Sequence, residues 1–511
     1  MNRNTLLKKS LIYTFIIGFI AHGYCFANTI MSHDALNNFF IADKWSKANF
    51  GRFFYVIYIS LTRGRILLPW LVGSMGVLWA GLAVYYIVLL FEVKKESAIW
   101  GISAICIANP TVYALAATYL HDFDADLFAL FVAVFAVTMW KKATEEKNNK
   151  RSWLLLIAAG GLLSVCLGIY QSYISVTILL IMMISIKHLL ENREFGIVVK
   201  QGFQGIAMLV FSAVTYLIEV KLFSKVIGTS IMGNQTYNGL GNMSSVLQDN
   251  IFVKILGAYK DFFTTYLELP SVFPSRIILL AHGILGMAAI GIVCYALKKI
   301  AWGKKICILI LLALIPLGAN VSYILSGEMV HDIMKYAFWM SYLLAMILGL
   351  WFCEKTEMSV KIKNIVFTFI VCSVAVVILG NIQTSNAIYV KKDLEYQSTL
   401  SYMTRVADRM EEQEGYIPGE TPVYFIGTNT IGESRRGFEE YLNITGMKNT
   451  SPLTFYDTYD KYFEYVLCLP LNLSEDSEIK KDERVIEMSV FPKAGSIQMI
   501  DDVLVVKLDD I

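Results

Sequence analysis

Residues 11–28, LIYTFIIGFIAHGYCFAN, form an unbroken apolar run, about the 20 residues a helix needs to cross a hydrocarbon core. Arg3, Lys8 and Lys9 precede it, and Tyr24-Cys25-Phe26-Ala27 at its far end offers neither an Ala-x-Ala cleavage site nor a lipoprotein box. The run therefore reads as an uncleaved anchor with a cytoplasmic N-terminus. Comparable runs follow at about 66–91, 97–117, 127–140, 153–169, 172–187, 203–223, 276–297, 306–326, 334–353 and 364–383, for roughly eleven spans in all. Composition agrees: 511 residues, 56% hydrophobic and only 17% charged, with a mean hydropathy of +0.54. The expected fold class is an all-α polytopic membrane protein whose principal surroundings are the lipid bilayer.

Charge sets the direction of threading. Loops assigned inside hold Lys94/Lys95, Lys141/Lys142/Lys147/Lys150/Arg151, Lys187/Arg193/Lys200, Lys298/Lys299/Lys304/Lys305 and Lys355/Lys361/Lys363. With the N-terminal three this gives about 20 basic residues inside and about 11 outside, as the positive-inside bias requires. The net charge of +2 is dispersed, which argues against nucleic acid as a partner. Six cysteines, Cys106, Cys166, Cys294, Cys307, Cys353 and Cys372, lie in or beside apolar runs and read as small core residues.

An odd number of spans places everything after about Thr384 outside. The expected organisation is a membrane domain over 1–384 and a soluble extracytoplasmic domain over 385–511. That tail reads as a helix over Asp393 to Glu414 and strands at Val423-Tyr424-Phe425-Ile426-Gly427, Tyr465-Val466-Leu467 and Val503-Leu504-Val505-Val506.

The same threading gathers polar residues at the outer face: Ser32-His33-Asp34, then His121-Asp122-Phe123-Asp124-Ala125-Asp126, Tyr170-Gln171, and Glu328, His331 and Asp332 with Lys335. An acidic residue beside a membrane helix costs free energy and wants a reason. The HDFDAD aspartates either cap the fourth span at the positive end of its dipole or serve substrate or a hard cation such as Mg²⁺ or Mn²⁺. Asp122 and Asp126 share a helix face and Asp124 points elsewhere. His22 reads as a hydrogen-bonded interior histidine. Arg52, Arg63 and Arg65 either snorkel at the interface or clamp a lipid phosphate. Tyr170 and Gln171 either satisfy a tight turn or face substrate. In the tail, Tyr441, Phe455 and Tyr456 either stack on sugars or fill the core.

Taken in order, Ala21-His22-Gly23-Tyr24, Ser32-His33-Asp34-Ala35-Leu36, Gly51-Arg52-Phe53, Leu68-Pro69-Trp70-Leu71, the Phe123–Asp126 stretch, Leu167-Gly168-Ile169-Tyr170-Gln171-Ser172-Tyr173 and the ending Phe491-Pro492-Lys493-Ala494-Gly495-Ser496 resemble the bacterial Gtr-type (type II) glucosyltransferases that modify O-antigen, part of the lipopolysaccharide of the cell envelope. The resemblance implies a GT-C architecture in the bacterial inner membrane, with an extracytoplasmic active site. It implies a polyprenyl-phosphate-linked sugar donor and a cell-surface polysaccharide acceptor. It carries the catalytic base onto Asp34, and a second acidic site onto Asp126 with Asp124 as accessory. His33, Arg52, Arg63, Arg65, Asp122, Tyr170, Gln171 and Lys335 are the accompanying substrate-binding candidates. Lys335 stands where an arginine is expected and lacks its bidentate fork. The rival reading is a flippase for a lipid-linked sugar, in which ionisable groups sit near the midplane rather than at one face. Another GT-C enzyme with a different sugar or acceptor is the nearer rival.

Overall fold

The computed structural model describes residues 2–36, 44–64, 66–228, 250–268, 274–326, 330–428, 454 and 458–510, with side chains for all of these except 33, 34, 44–46 and 326. Among them, eleven helices are long and apolar enough to cross a bilayer: Arg3–Ala27, Pro69–Leu90, Glu96–Thr118, Leu120–Glu145, Asn149–Leu167, Gln171–Leu190, Phe195–Ile227, Ser275–Lys298, Trp302–Ala319, Tyr336–Lys355 and Val360–Glu411. They match the expected runs one for one. The chain is a multi-pass membrane protein.

Burial separates the spans into layers. The third, sixth and tenth are almost wholly enclosed by other helices, whereas the seventh, eighth and ninth show most of their surface. Phe203, Ile206, Leu280, Met287 and Ile290 are all more than half exposed, the arrangement lipid permits and water does not. Cys294 and Cys372 also lie on this outer surface, while Cys106 and Cys166 are buried. The expectation that the apolar-run cysteines are core residues therefore fails for the two on peripheral faces, because a membrane helix is apolar all round and hydropathy does not mark its inner side.

One of the enclosed spans is interrupted near its middle. The third span breaks at Ala108–Asn109, where Pro110 removes a backbone donor and the Asn109 side chain accepts from the Val112 N–H at 3.1 Å. A ten-residue helix, Phe53–Thr62, which is too short to span, lies between the first and second spans. A further helix, Ile251–Leu267, buries Ala258, Asp261 and Phe262 and exposes Phe252, Val253, Leu256 and Phe263.

The last span is 52 residues long, about 78 Å at 1.5 Å per residue. It runs unbroken through residue 384, where the membrane and tail domains were expected to meet. Its far end packs on a four-stranded sheet of order β2-β1-β4-β3: β1 Pro422–Ile426, β2 Asn472–Leu473, β3 Ile497–Ile500 and β4 Val503–Lys507. β1 runs parallel to β2 and β4, and β3 is antiparallel to β4. Strand alternation puts Val423, Phe425, Leu504 and Val506 on one face against Met403, Val406, Tyr459 and Phe463, and Tyr424, Ile426 and Val505 on the other against Val485 and Met488. Residues 465–467, expected as a strand, lie in a helical segment, Phe463–Leu467. Phe463 is buried against the last-span helix, and that contact outweighs the local β preference of Tyr465-Val466-Leu467.

Candidate functional site

The His121–Asp126 stretch opens the fourth span, and its carboxylates are buried: Asp122 is 3% exposed, Asp124 0% and Asp126 3%. Capping alone does not explain them, since Asp122, which stands at the helix N-cap, makes no side-chain bond to a helix-start N–H. Each has a different environment.

Asp124 points into the bundle. Its Oδ2 accepts from Arg63 Nε at 3.1 Å and from the Tyr58 hydroxyl at 3.3 Å, and its Oδ1 accepts from Arg63 Nη2 at 3.3 Å. Arg63 also donates to the His121 carbonyl, and Trp79 Nε1 donates to the Tyr58 hydroxyl at 2.9 Å. The Arg63 and Asp124 side chains are both 0% exposed, so this guanidinium is turned inward rather than toward the interface. The pair ties the Phe53–Thr62 helix to the fourth span.

Asp122 faces the other way. Lys47 Nζ lies 2.5 Å from its Oδ2 and Arg52 Nη1 3.8 Å from the same oxygen, while His121 Nε2 is 3.4 Å from Oδ1. The Arg52 guanidinium stacks 4.3 Å from the centroid of Tyr170, a planar fork on an aromatic face. Burial works against the Arg52 charge; Tyr170, Asp126 and Asp122 outweigh it, for a net rise in pKa.

Asp126, one turn on from Asp122, has no hydrogen bond or ion pair within contact distance among the described residues, although it shares the field of Arg52, Lys47 and Asp122. A buried carboxylate without a direct partner is costly. It is the group whose surroundings leave a valence for something else.

The local chain is folded to present Lys47 and Arg52. Gly51 takes φ +77, a conformation that a side chain resists, and reverses the chain before Arg52. Gln171 Nε2 donates to the Phe50 carbonyl at 3.0 Å and to the Tyr216 hydroxyl at 2.9 Å, and Tyr216 donates to the Gly51 carbonyl at 3.2 Å. The Phe54 N–H donates to the Gly168 carbonyl at 2.8 Å. The Tyr170-Gln171 turn thus holds the Arg52 turn on one side by stacking and on the other by hydrogen bonds.

Lys335 belongs to a separate buried cluster. Its Nζ lies 2.9 Å from Asp261 Oδ1, 3.1 Å from Thr265 Oγ1 and 4.0 Å from Asp332 Oδ1, while Asn320 Nδ2 donates to Asp261 Oδ2 at 2.9 Å. Its charge is met by the chain itself. His22 is an interior histidine, with Nδ1 2.7 Å from the Tyr389 hydroxyl and Nε2 2.8 Å from the Ile107 carbonyl. Among the described residues no group of three or more His, Cys, Asp or Glu side chains converges as a metal site.

The backbone of His33–Leu36 forms a short helix at this same end, and Ser32 Oγ donates to the Thr118 carbonyl at 2.5 Å, four residues before Asp122. The side chains of His33 and Asp34 lie outside the described set, as do Arg65, Glu328, Tyr441, Phe455 and Tyr456. Lys47, Tyr58, Trp79 and Tyr216 join the site without having been expected. Lys47 was visible only as one more basic residue in an outer loop, and the other three read as ordinary aromatic membrane residues.

A family model described as glucosyl transferase GtrII matches residues 23–348, more than half of the 511-residue chain. The match takes in the first loop, the HDFDAD stretch and the Tyr170-Gln171 turn, and ends before the tail. No curated protein and no solved structure matches the chain. With nearly two thirds of its length matched, the chain belongs to the GtrII glucosyl transferase family.

Proposed function

We propose that this glucosyltransferase takes a glucosyl group from a polyprenyl-phosphate donor and passes it to a hydroxyl of a cell-surface polysaccharide such as O-antigen, in the manner of a GT-C enzyme. The reaction takes place at the first-loop end of the bundle, on the extracytoplasmic face of the bacterial inner membrane. The positive-inside bias supports that orientation, since the opposite end carries most of the basic residues. The observation that carries the reading is the group Lys47, Arg52, Asp122 and Asp126: a buried lysine and a half-buried arginine held in place by one carboxylate, with a second carboxylate beside them that has no direct partner among the described residues.

The chemistry assigns roles. A prenyl phosphate leaving an anomeric carbon develops negative charge on its bridging oxygen, and fixed cations in a water-poor site stabilise that charge more than water can. Arg52, braced on Tyr170, and Lys47 meet the phosphate, and Asp122 keeps both cations oriented before substrate arrives. Asp126 accepts hydrogen bonds from the sugar hydroxyls, or supports the oxocarbenium-like charge at the anomeric carbon. Asp34 removes the proton of the acceptor hydroxyl as the new glycosidic bond forms. Asp124, with both oxygens engaged by Arg63 and Tyr58, holds the wall of the site.

A single displacement of this kind inverts the anomeric centre. The test is the anomeric configuration of the product, read by NMR after transfer from a donor of known configuration. Inversion is expected. A product that retains the donor configuration would require a covalent glucosyl-enzyme and would overturn the scheme.

A further inference from the structure

The turn that carries His33 and Asp34 is built into the core of the tail domain. Met31 is 2% exposed and Leu36 0%, and both belong to the cluster of packed residues formed by Met403, Val406 and Met410 of the last helix with Phe425, Phe463 and Leu504. Met31 lies two residues before, and Leu36 ends, a helix of only four residues, His33–Leu36, a length that does not persist on its own in water. Its order has to come from what its ends are anchored in.

One anchor is the membrane bundle. Ser32 Oγ donates to the Thr118 carbonyl at the end of the third span and accepts from the Ala35 N–H at 3.2 Å. The other is the tail, brought to this place by a continuous rod. The first and last spans are joined by Ser385 Oγ to the Ala21 carbonyl at 2.9 Å, Asn386 Nδ2 to the Ile20 carbonyl at 3.0 Å, His22 to Tyr389 at 2.7 Å and the Tyr24 hydroxyl to Asp393 Oδ2 at 2.8 Å. From Asp393 the same helix continues ten residues, about 15 Å, to Met403 without interruption. The seam in the membrane therefore fixes where the tail core sits, and the tail core receives Met31 and Leu36.

We infer that Met31 and Leu36 are positioning residues, and that a principal function of the tail domain is to hold the His33-Asp34 turn against the end of the third span and the HDFDAD stretch. The catalytic consequence rests on the reading of Asp34 as the base; the mechanical coupling of turn and tail does not. The tail acts here as a buttress, so its contribution should appear in turnover more than in donor affinity.

The experiment measures amide hydrogen exchange and transfer kinetics on the full-length protein in lipid nanodiscs. The Ala35 N–H is bonded to the Ser32 carbonyl at 3.0 Å, so its exchange reports the turn. Met403→Ala, in the tail core on the last helix, is expected to speed exchange at Ala35 at least tenfold. It should lower kcat at least tenfold with KM for polyprenyl-phosphate glucose changed less than twofold, and Met403→Leu should restore both. Leu36→Ala makes the same cut from the loop side; protection of the tail strands should survive, while Ala35 exchange and kcat change as before. Unchanged Ala35 exchange in both alanine variants overturns the inference. Should the wild type transfer from no polyprenyl-phosphate sugar, the reading of the reaction is lost, and the exchange arm still decides whether the tail holds the turn.

Discussion

The three aspartates of HDFDAD should separate cleanly when each is replaced by asparagine. The Asp124 and Arg63 side chains are both 0% exposed and joined by two hydrogen bonds, with Tyr58 supplying a third. Neutralising Asp124 leaves the guanidinium buried without its counter-charge, and losing one partner of a buried pair costs about 3–5 kcal/mol. Asp126 has no such partner, so Asp126→Asn removes a buried charge and breaks no bond. Its thermal midpoint should equal or exceed that of the wild type. Transfer, in contrast, should fall roughly a hundredfold or more, the loss that goes with removing one preorganised electrostatic group. The assay is thermal unfolding of the purified variants in detergent, read alongside polyprenyl-phosphate release in liposomes. The double variant Asp124→Leu/Arg63→Met should regain most of the stability lost in Asp124→Asn, since apolar replacement of a whole buried pair is often close to neutral. An Asp126→Asn protein that unfolds as readily as Asp124→Asn, or an Asp124→Asn protein as stable as the wild type, would refute this partition.

Three further outcomes follow from the geometry. Lys335→Met should destabilise the protein by about 3–5 kcal/mol, because it strands the Asp261 carboxylate; Lys335→Met/Asp261→Leu should recover stability in the same unfolding assay, and transfer with it if Lys335 does not touch the donor. Gly76→Ala would place a methyl 2.5 Å from ring atoms of Phe123, an overpacking cost of about 1–3 kcal/mol that should appear as a lowered thermal midpoint and reduced transfer, since Phe123 sits between Asp122 and Asp124. Gln171→Ala removes the bonds to Phe50 and Tyr216; stability should drop by about 1 kcal/mol, and KM for the donor should rise as the Arg52 turn loosens.

The eleven spans were legible because a membrane helix announces itself by length and hydropathy alone, and every expected run from 11–28 to 364–383 became a helix. What hydropathy does not carry is which side of a helix faces its neighbours, and that is where reading failed: Cys294 and Cys372 lie on the periphery. Helices shorter than a span were also invisible. Phe53–Thr62 resembles part of a membrane run but is ten residues long, and its placement depends on the Gly168 carbonyl, more than a hundred residues later in the chain. The last helix passed through the expected boundary at 384 because nothing in its sequence, neither proline nor glycine, stops it after Gly380.

The site was half legible for the same reason. Its acids stood out, since charge at the edge of apolar runs is conspicuous, and the sharing of a face by Asp122 and Asp126 followed from helical spacing. Their partners did not stand out. Arg63 meets Asp124 across 61 residues and Lys335 meets Asp261 across 74, and a single sequence holds no signal for such pairings. An arginine that snorkels and one that locks a buried aspartate read alike until the fold brings them together.

The measurement that bears most directly on the whole account is release of polyprenyl phosphate from polyprenyl-phosphate glucose by the purified protein in liposomes supplied with a cell-surface polysaccharide. Wild type and Asp34→Asn are compared side by side. Turnover by the wild type that falls at least about a hundredfold in Asp34→Asn, the lower end of what loss of a general base costs, is the predicted result. Absence of turnover by the wild type with a competent acceptor, or turnover undiminished in Asp34→Asn, would contradict it.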